Sequence, residues 1–146
     1  MDRLDRAIIA QLQRDARLSN TELADRVGLT PSPCLRRVRR LEETGVISGY
    51  HARVDPGAVG RSFEVMVFID LAVQDRPSVE RFEAWADTVD EIVQARRMFG
   101  SPDYVLEVAV PDLAAYERLL TGVLLAAPGV GRLNSHFTMK TIKSPY

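Results

Sequence analysis

The sequence predicts an α+β fold in two parts, with helices and a small hairpin in residues 1–54 and a βαββαβ order in residues 62–146. Two observations carry this expectation. Apolar residues recur at helical spacing in the first part, whereas from Phe63 onward they alternate with a period of two, as strands require. The turn-rich run DPGAVGR at 55–61 is the predicted linker. With 146 residues, 46% of them hydrophobic, the chain can form one medium domain or two small ones.

Two helices are predicted to open the first part. The first runs from Leu4 to about Asp15 and turns four apolar residues toward a small core: Leu4, Ile8, Ile9 and Leu12. The second begins at Asn20, whose side chain can accept hydrogen bonds from the free amides of the first turn. It ends at Gly28, because glycine adopts the left-handed conformation of a helix end at little cost.

A third helix is expected to begin at Pro31, with Thr30 as its cap. One side is predicted to face the core, with Leu35, Val38, Leu41 and Glu42, and Cys34 beside it is expected to be a small packing residue. The other side is predicted to be exposed and carries Ser32, Pro33, Arg36, Arg37, Arg39 and Arg40. The segment 46–54 then suggests a small hairpin, or wing.

The exposed side of the third helix predicts a surface that reads DNA. The second and third predicted helices form a helix-turn-helix frame, in which the later helix enters the major groove. Its N-terminal residues face base edges, and nearby amides and arginines hold phosphates. The expected contacts are those six residues, from Ser32 to Arg40. An alternative is that the arginines only solvate an exposed helix, partly paired with Glu42 and Glu43, as charge runs commonly do. The frame, the cap and the turn favour DNA.

The distribution of charge agrees with this expectation, although the whole chain has a net charge of −1 and a pI near 6.1. Residues 1–60 hold ten arginines against eight acidic residues, a net of +2. Residues 61–146 hold nine basic against twelve acidic residues, a net of −3. Basic charge is therefore concentrated where counterion release on DNA binding requires it.

The second part is predicted to fold as four strands and two helices. The expected strands are 63–73, 92–99, 104–110 and 133–142, and the expected helices are 78–88, capped by Ser78, and 113–126, capped by Asp112. This order is the ferredoxin-like arrangement, in which both helices cover one face of an antiparallel sheet. Met66, Phe68 and Ala72 put apolar surface on the other face, which predicts a two-fold dimer through that face.

Four stretches carry a resemblance to a known family: LDRAIIAQLQRDARLSNTELADRVGLTPSPCLRRVRRLEETGVISGY at the front, GSPDY at 100–104, VPDLAAYERLL at 110–120, and PGV with a following strand at 128–142. Over nearly its whole length the chain resembles the Lrp/AsnC (leucine-responsive/asparagine-responsive, feast/famine) transcriptional regulators. The resemblance implies a cytoplasmic, sequence-specific regulator of double-stranded DNA. It also implies a homodimer, often assembled to an octamer, whose DNA binding or assembly responds to an amino acid or related metabolite.

The resemblance also implies an effector site near the turn at 100–104 and the start of the last strand. The residues it points to are Gly100, Ser101, Asp103, Tyr104, Leu133 and Ser135. Gly100 would let backbone amides approach a carboxylate, and Asp103 could pair with an ammonium group. Ser101 and Leu133 depart from the family's usual acidic and hydroxyl residues, so a changed ligand, or none, stays open. By its residues alone, GSPD is simply a good turn.

An enzyme is the main alternative, because siroheme decarboxylases are related to the same family. The chain offers such chemistry little, since its two histidines, His51 and His136, stand in different predicted parts and no clustered metal ligands, P-loop or nucleophile elbow is found. We therefore expect no enzyme, no metal and no cofactor. A pure ligand-binding or scaffolding module conflicts with the arginine helix. No apolar run approaches the ~20 residues of a membrane span, and no signal peptide is recognised, so no membrane association is expected.

Overall fold

The computed structural model describes residues 1–143 and forms two compact units, Met1–Arg53 and a second that begins at Val54. The first unit holds α1 (Arg3–Arg14), α2 (Asn20–Val27) and α3 (Pro31–Glu43). The second holds β1 (Phe63–Leu71), α4 (Arg76–Ala86), β2 (Ile92–Arg97), β3 (Tyr104–Val110), α5 (Leu113–Leu119) and β4 (Val130–Phe137). The α+β class and the βαββαβ order are confirmed. Positions 144–146 of the predicted second part lie outside the described residues.

The start of α2 differs by one residue from the prediction. Ser19 is the cap: its hydroxyl accepts from the Glu22 amide (3.3 Å), and the Glu22 carboxylate accepts from the Ser19 amide (2.8 Å). Asn20 is instead the first helical residue, and its side-chain amide donates to the carbonyl of Pro31 (2.8 Å). Gly28 ends the helix in the left-handed conformation (φ 70°), as predicted. Each end of α2 is therefore fixed by local chemistry.

The buried stripe of α3 is rotated from the predicted one. Cys34 is completely buried, whereas Leu35 is 39% exposed, and the stripe continues through Val38 and Leu41. Thr30 occupies the cap position, but its side chain makes no capping hydrogen bond. Together with α1 and α2 this stripe forms the core of the first unit, whose buried members are Ile8, Leu23, Ala24, Cys34 and Leu41.

The predicted hairpin at 46–54 is wrong, because the structure has no strand in that segment. The Ile47 amide donates to the carbonyl of Leu41 (2.9 Å), and the Tyr50 hydroxyl donates to Glu42 (2.8 Å), so the segment folds back on the end of α3. A two-stranded hairpin needs a packed face to be stable, and Val46 and Tyr50 are about half exposed here.

The sheet of the second unit is antiparallel with strand order β2-β3-β1-β4. Alternate residues of the central strand β1 are buried, namely Val65, Val67, Ile69 and Leu71. They pack against Phe82 of α4, Tyr116 of α5 and Leu124, which lies in the π-helical turn (Leu120–Leu124) that extends α5. Both helices therefore cover one sheet face. We call the other the helix-free face.

Several element boundaries of the second unit differ from the sequence prediction. Asp75, not Ser78, caps α4, since its carboxylate accepts from the Ser78 amide (2.8 Å) and Ser78 itself is buried. Asp112 caps α5 as predicted. Strands β1 and β2 end earlier than expected, and β4 begins earlier, at Val130, and ends at Phe137. The earlier start of β4 allows Gly131 to pass close to the backbone at the end of β1.

The residues between the first unit and the sheet pack on the second unit. A short 3₁₀ turn spans Gly57–Val59. The Arg61 guanidinium donates to the carbonyl of Asp90 (3.2 Å), and the Ser62 hydroxyl donates to the carbonyl of Pro111 (2.9 Å). The segment predicted as a linker at 55–61 therefore contacts the domain that follows it.

Candidate DNA-binding and effector sites

All six residues predicted to contact DNA lie on α3, but their surroundings differ. Ser32, Arg36 and Arg39 are exposed, and within residues 1–143 no hydrogen bond or ion pair holds their side chains. Pro33 is half-buried near the start of the helix. Arg36 and Arg39 are three positions apart, which places them on one surface of the helix.

Arg37 and Arg40 are paired with the first helix. Arg37 Nη1 lies 2.6 Å from Asp2 Oδ2 and 2.8 Å from Asp5 Oδ1, and Arg40 Nη2 lies 2.7 Å from Asp5 Oδ2. The expectation that Arg37 shares an exposed face with Arg36 is wrong, because position 37 follows the buried Cys34 by three residues and faces α1. Only 24% of the Arg37 side chain is exposed, against 56% for Arg40.

The two carboxylates are also the capping box of α1. The Asp5 amide donates to Asp2 Oδ1 (2.9 Å), and the Asp2 amide donates to Asp5 Oδ2 (3.0 Å). The backbone hydrogen bond from Asp5, followed by that from Arg37, lowers the pKa of Asp2 to about 2. The Asp2 amide, together with Arg37 and Arg40, likewise lowers the pKa of Asp5. Both groups are therefore carboxylates at neutral pH.

In the second unit the turn between β2 and β3 is anchored by Asp103. Its Oδ2 accepts from the Leu71 amide (2.8 Å), and its Oδ1 accepts from the Gln74 side-chain amide (2.8 Å). Gly100 has a φ of 111°, which favours glycine. Asp103 thus ties the turn to the end of β1, and each of its oxygens already accepts one hydrogen bond.

An ion pair lies beside this turn. Arg132 donates from Nε (3.0 Å) and Nη2 (2.9 Å) to Asp70 Oδ2, and the Ser101 hydroxyl donates to Asp70 Oδ1 (3.0 Å). The hydrogen bond from Arg132 is the main cause that lowers the pKa of Asp70. A hollow of about 200 Å³ opens here, lined by Phe68, Asp70, Ser101, Pro102, Arg132, Asn134 and His136. We call it the turn hollow.

The structure does not bring the six predicted effector residues together. Gly100, Ser101 and Asp103 belong to the turn, but Leu133 and Ser135 stand opposite the inward-facing Ile69 and Val67 and so point toward the helices. The Ser135 hydroxyl lies 2.6 Å from that of Tyr116, and the buried Tyr104 donates to Glu83 (2.9 Å). Burial, and then Glu83, raises the pKa of Tyr104 to about 12.

The residues of β4 beside the turn were not predicted from the sequence: they are Arg132, Asn134 and His136. They alternate along β4 with Leu133 and Ser135, which face the helices. A one-residue difference in register would therefore exchange the two sets between the two sheet faces. The signal that could have found them is that alternation, combined with a strand that starts at Val130. Asp70 could have been found in the same way on β1.

Met66 and Phe68, the predicted dimer residues, lie half-buried on the helix-free face of a single chain. The Phe68 ring meets the His136 ring edge to face, with centroids 4.9 Å apart. Ala72, expected on the same face, lies beyond the end of β1 and is exposed. The face therefore carries an apolar centre in β1.

Within residues 1–143, no group of three or more histidine, cysteine or acidic side chains is arranged to hold a metal ion. His51 and His136 belong to different units. None of the helices described in this range has the length and apolar character needed to cross a membrane.

A three-helix unit whose third helix, α3, carries four arginines, followed by a ferredoxin-like unit, defines a helix-turn-helix regulator with a small-molecule domain. Family comparison agrees with both parts. A model described as winged helix-turn-helix DNA-binding matches residues 1–48, and one described as Lrp/AsnC ligand binding domain matches residues 64–146. The chain belongs to the Lrp/AsnC family of transcriptional regulators.

Individual relatives cover almost the whole chain. The leucine-responsive regulatory protein of Salmonella typhimurium is 42% identical over 145 residues, spanning 98% of this chain and 87% of the relative. The leucine-responsive regulatory protein of Escherichia coli K12 is 41% identical over 145 residues, which again span 98% of this chain and 87% of the relative. These matches confirm a DNA-binding transcriptional regulator and not an enzyme, and none supports the siroheme-decarboxylase-like alternative.

Solved structures give the same answer for the fold. A transcriptional regulator from Neisseria meningitidis, solved as a complex with L-Met, is 32% identical with a TM-score of 0.93, covering 99% of this chain and 93% of that one. An AsnC family regulator from Agrobacterium tumefaciens is 38% identical with a TM-score of 0.92, covering 99% and 94%. The ferredoxin-like unit is thus a ligand-binding domain of this family.

Proposed function

We propose that this chain is a cytoplasmic, homodimeric regulator that reads duplex DNA with α3 and changes its DNA binding or assembly when an amino acid binds the second unit. The observation that carries the proposal is the exposed polar surface of α3. Ser32 and Pro33 lie at its N-terminal end, where a recognition helix meets base edges, and Arg36 and Arg39 extend from its surface without a partner in the described part of the chain. Arg37 and Arg40 lie beside them but are already paired.

DNA reading is tested with a duplex that the wild-type protein selects from a random-sequence pool. We expect its affinity to fall steeply with KCl, because arginines that contact phosphates release counterions. The double variant Arg36→Gln/Arg39→Gln should lose most of that affinity. The matched control Arg76→Gln/Arg81→Gln removes the same charge from the exposed surface of α4 and should leave affinity nearly unchanged. Equal losses in the two double variants would overturn the assignment of α3.

The helix-free face supports the proposed dimer. A sheet covered by helices on one side only leaves its other side to solvent, and Met66 and Phe68 make the centre of that side apolar. Packing two such faces about a two-fold axis buries the apolar centre of each chain. It also presents two α3 helices to two DNA half-sites. Assembly of dimers into an octamer is the larger form that we propose from the family.

The turn hollow is our candidate for the effector. An amino acid carries one ammonium and one carboxylate, which complement Asp70 and Arg132, the charged pair that lines the hollow. Asp103 and the amides near Gly100 flank it. The Neisseria relative in complex with L-Met supports an amino acid as the ligand class. Because Leu133 and Ser135 point toward the helices, we expect them to shape the sheet under the site.

A thermal-shift screen against the common amino acids tests this proposal, since a ligand that binds only the folded state raises its apparent Tm. Arg132→Gln should abolish the shift given by the best amino acid, because the partner of the carboxylate is lost. Arg118→Gln, an exposed arginine on the helix side of the sheet, is the control and should keep it. If no amino acid raises the Tm, the regulator is independent of an amino-acid effector.

A further inference from the structure

The most heavily bonded carboxylate of the first unit belongs to Asp5. Its side chain is only 1% exposed and accepts four hydrogen bonds, at 2.7–3.0 Å, from the Asp2 amide, from Arg37 and twice from Arg40. The two arginines are 32 and 35 residues away along the chain. One buried group on α1 thus holds two side chains of the candidate recognition helix.

We infer that Asp5 is a positioning residue for DNA binding, which fixes α3 through Arg37 and Arg40 and leaves the phosphate contacts to Arg36 and Arg39. The inference rests on the proposed DNA surface and divides its arginines into two pairs with different tasks. One pair connects α3 to α1, and the other pair meets the nucleic acid.

The physical reason is the cost of leaving a buried charge without its partners. If Arg37 turned toward a base or a phosphate, the buried carboxylate of Asp5 would lose one of its two arginine partners, which is unfavourable in a site that excludes water. Arg37 also has little freedom, since three-quarters of its side chain is covered and one guanidinium nitrogen binds both Asp2 and Asp5. Arg36 and Arg39 pay no such penalty, because their side chains are exposed and unpaired within the described residues.

The geometry explains why the pairing orients the helix. Arg37 and Arg40 are three residues apart, so they leave α3 on the same side, one turn from each other. A single carboxylate that accepts from both therefore restrains rotation of α3 about its axis as well as its tilt against α1. One residue corresponds to about 100° around a helix axis. Rotation of α3 by that angle would carry Arg36 and Arg39 off the surface that faces DNA.

Replacement of Asp5 separates positioning from simple charge. Asp5→Asn makes the unit more basic by one charge, which by electrostatics alone tightens DNA binding. If Asp5 positions α3, the same change weakens affinity for the selected duplex by about fivefold or more. Asp25→Asn is the matched control: it removes one carboxylate from an exposed position of α2 and should leave binding unchanged or slightly tighter.

The salt dependence identifies the arginines that contact phosphates. Fluorescence anisotropy of the duplex is measured between about 50 and 300 mM KCl, and Tm is measured for each variant. We expect Arg36→Gln and Arg39→Gln each to lower the salt slope by about one per bound chain without a change in Tm. Arg37→Gln should keep the slope and lower the Tm of the first unit by about 5 °C or more. In an Arg37→Gln/Arg40→Gln background, Asp5→Asn should no longer weaken binding or lower Tm.

Several results would overturn the inference. A slope that falls in Arg37→Gln as much as in Arg36→Gln would place Arg37 on the DNA, and tighter binding by Asp5→Asn would remove its positioning role. Should Asp5→Asn fail to fold, the slope and Tm of Arg37→Gln still decide the matter. A wild-type protein that selects no duplex at all would overturn the DNA surface itself, and this inference with it. If the wild type binds a duplex but the variants do not show the expected salt slopes and affinities, only the division of tasks between the two arginine pairs is overturned.

Discussion

Asp2 and Asp5 give the first unit a stability that depends on pH. The pKa of Asp2 is about 2 in the folded chain and about 3.9 in an unfolded one, so its contribution is complete above about pH 4 and is lost as the pH falls toward 2. The pKa of Asp5 is lowered too, which gives the same sign. Stability of this unit should therefore decrease on acidification.

Arg37→Gln should raise the pH at which helical circular dichroism of the first unit is lost. The shift should be smaller than the whole depression of the pKa of Asp2, because the backbone hydrogen bond from Asp5 is its largest cause and survives the substitution. Arg36→Gln removes the same charge without touching either carboxylate and serves as the control. Acid transitions that coincide in the two variants would show that Arg37 does not stabilise the charged form.

The structural role of a single residue could be predicted where its partner lies nearby in the sequence. Gly28 and Asp112 are examples, since each acts within its own helix end. Ser19 and Asn20 are both good cap formers, and only the placement of Glu22 three residues after Ser19 decides between them. The pairing of Arg37 with α1 could not be predicted in this way, because its partner Asp5 is 32 residues away and helical periodicity of α3 alone does not reveal it.

At the scale of elements, β1 and β4 require a glycine where they come together. A Cβ at position 131 would lie 2.8 Å from the amide nitrogen of Ala72 and 2.9 Å from its Cα, and both atoms are backbone. The pairing of β1 with β4 shifts register between Asp70 and Leu71, directly before this contact. The strand end can therefore move only by distorting the ladder beside the turn hollow.

Gly131→Ala should destabilise the second unit by about 1–3 kcal/mol, as overpacking against an unyielding neighbour does. Gly122→Ala is the matched control, because a Cβ there has no neighbour within 4 Å and the residue lies in helical backbone, where alanine is neutral or slightly favourable. Urea unfolding of both variants measures the difference. Equal midpoints would mean that the close approach of Gly131 to Ala72 is relieved without cost.

Element types were predictable from periodicity and from turn residues, but two outcomes depended on tertiary contacts. The segment at 46–54 has the composition of a hairpin, yet its contacts with Leu41 and Glu42 replace strand pairing. Strand β4 begins at Val130 because β1 offers a pairing partner there, which no local signal around Gly129 and Gly131 announces. The same register sends Leu133 toward the helices and Arg132 toward the turn, so the sequence did not predict which residues of β4 lie beside the turn.

At the scale of the whole molecule, the proposed dimer through the helix-free face would link assembly to DNA binding. We expect Phe68→Asp to place a charge in an apolar interface without a partner and to convert dimers to monomers. A monomer presents one α3 helix instead of two, so its affinity for a two-half-site duplex should fall by about tenfold or more. Light scattering after size-exclusion chromatography gives the mass, and anisotropy gives the affinity.

Leu125→Asp is the control for that substitution, since Leu125 is an apolar residue, 58% exposed, that follows the π-helical turn on the helix-covered side of the sheet. It should keep both the wild-type mass and the wild-type affinity. Mass and affinity should change together in Phe68→Asp, because in the proposed dimer the partner chain makes the second half-site contact. A Phe68→Asp protein that remains a dimer at the wild-type concentration would place the interface on another surface. A monomer with undiminished affinity would show that one recognition helix is sufficient for binding.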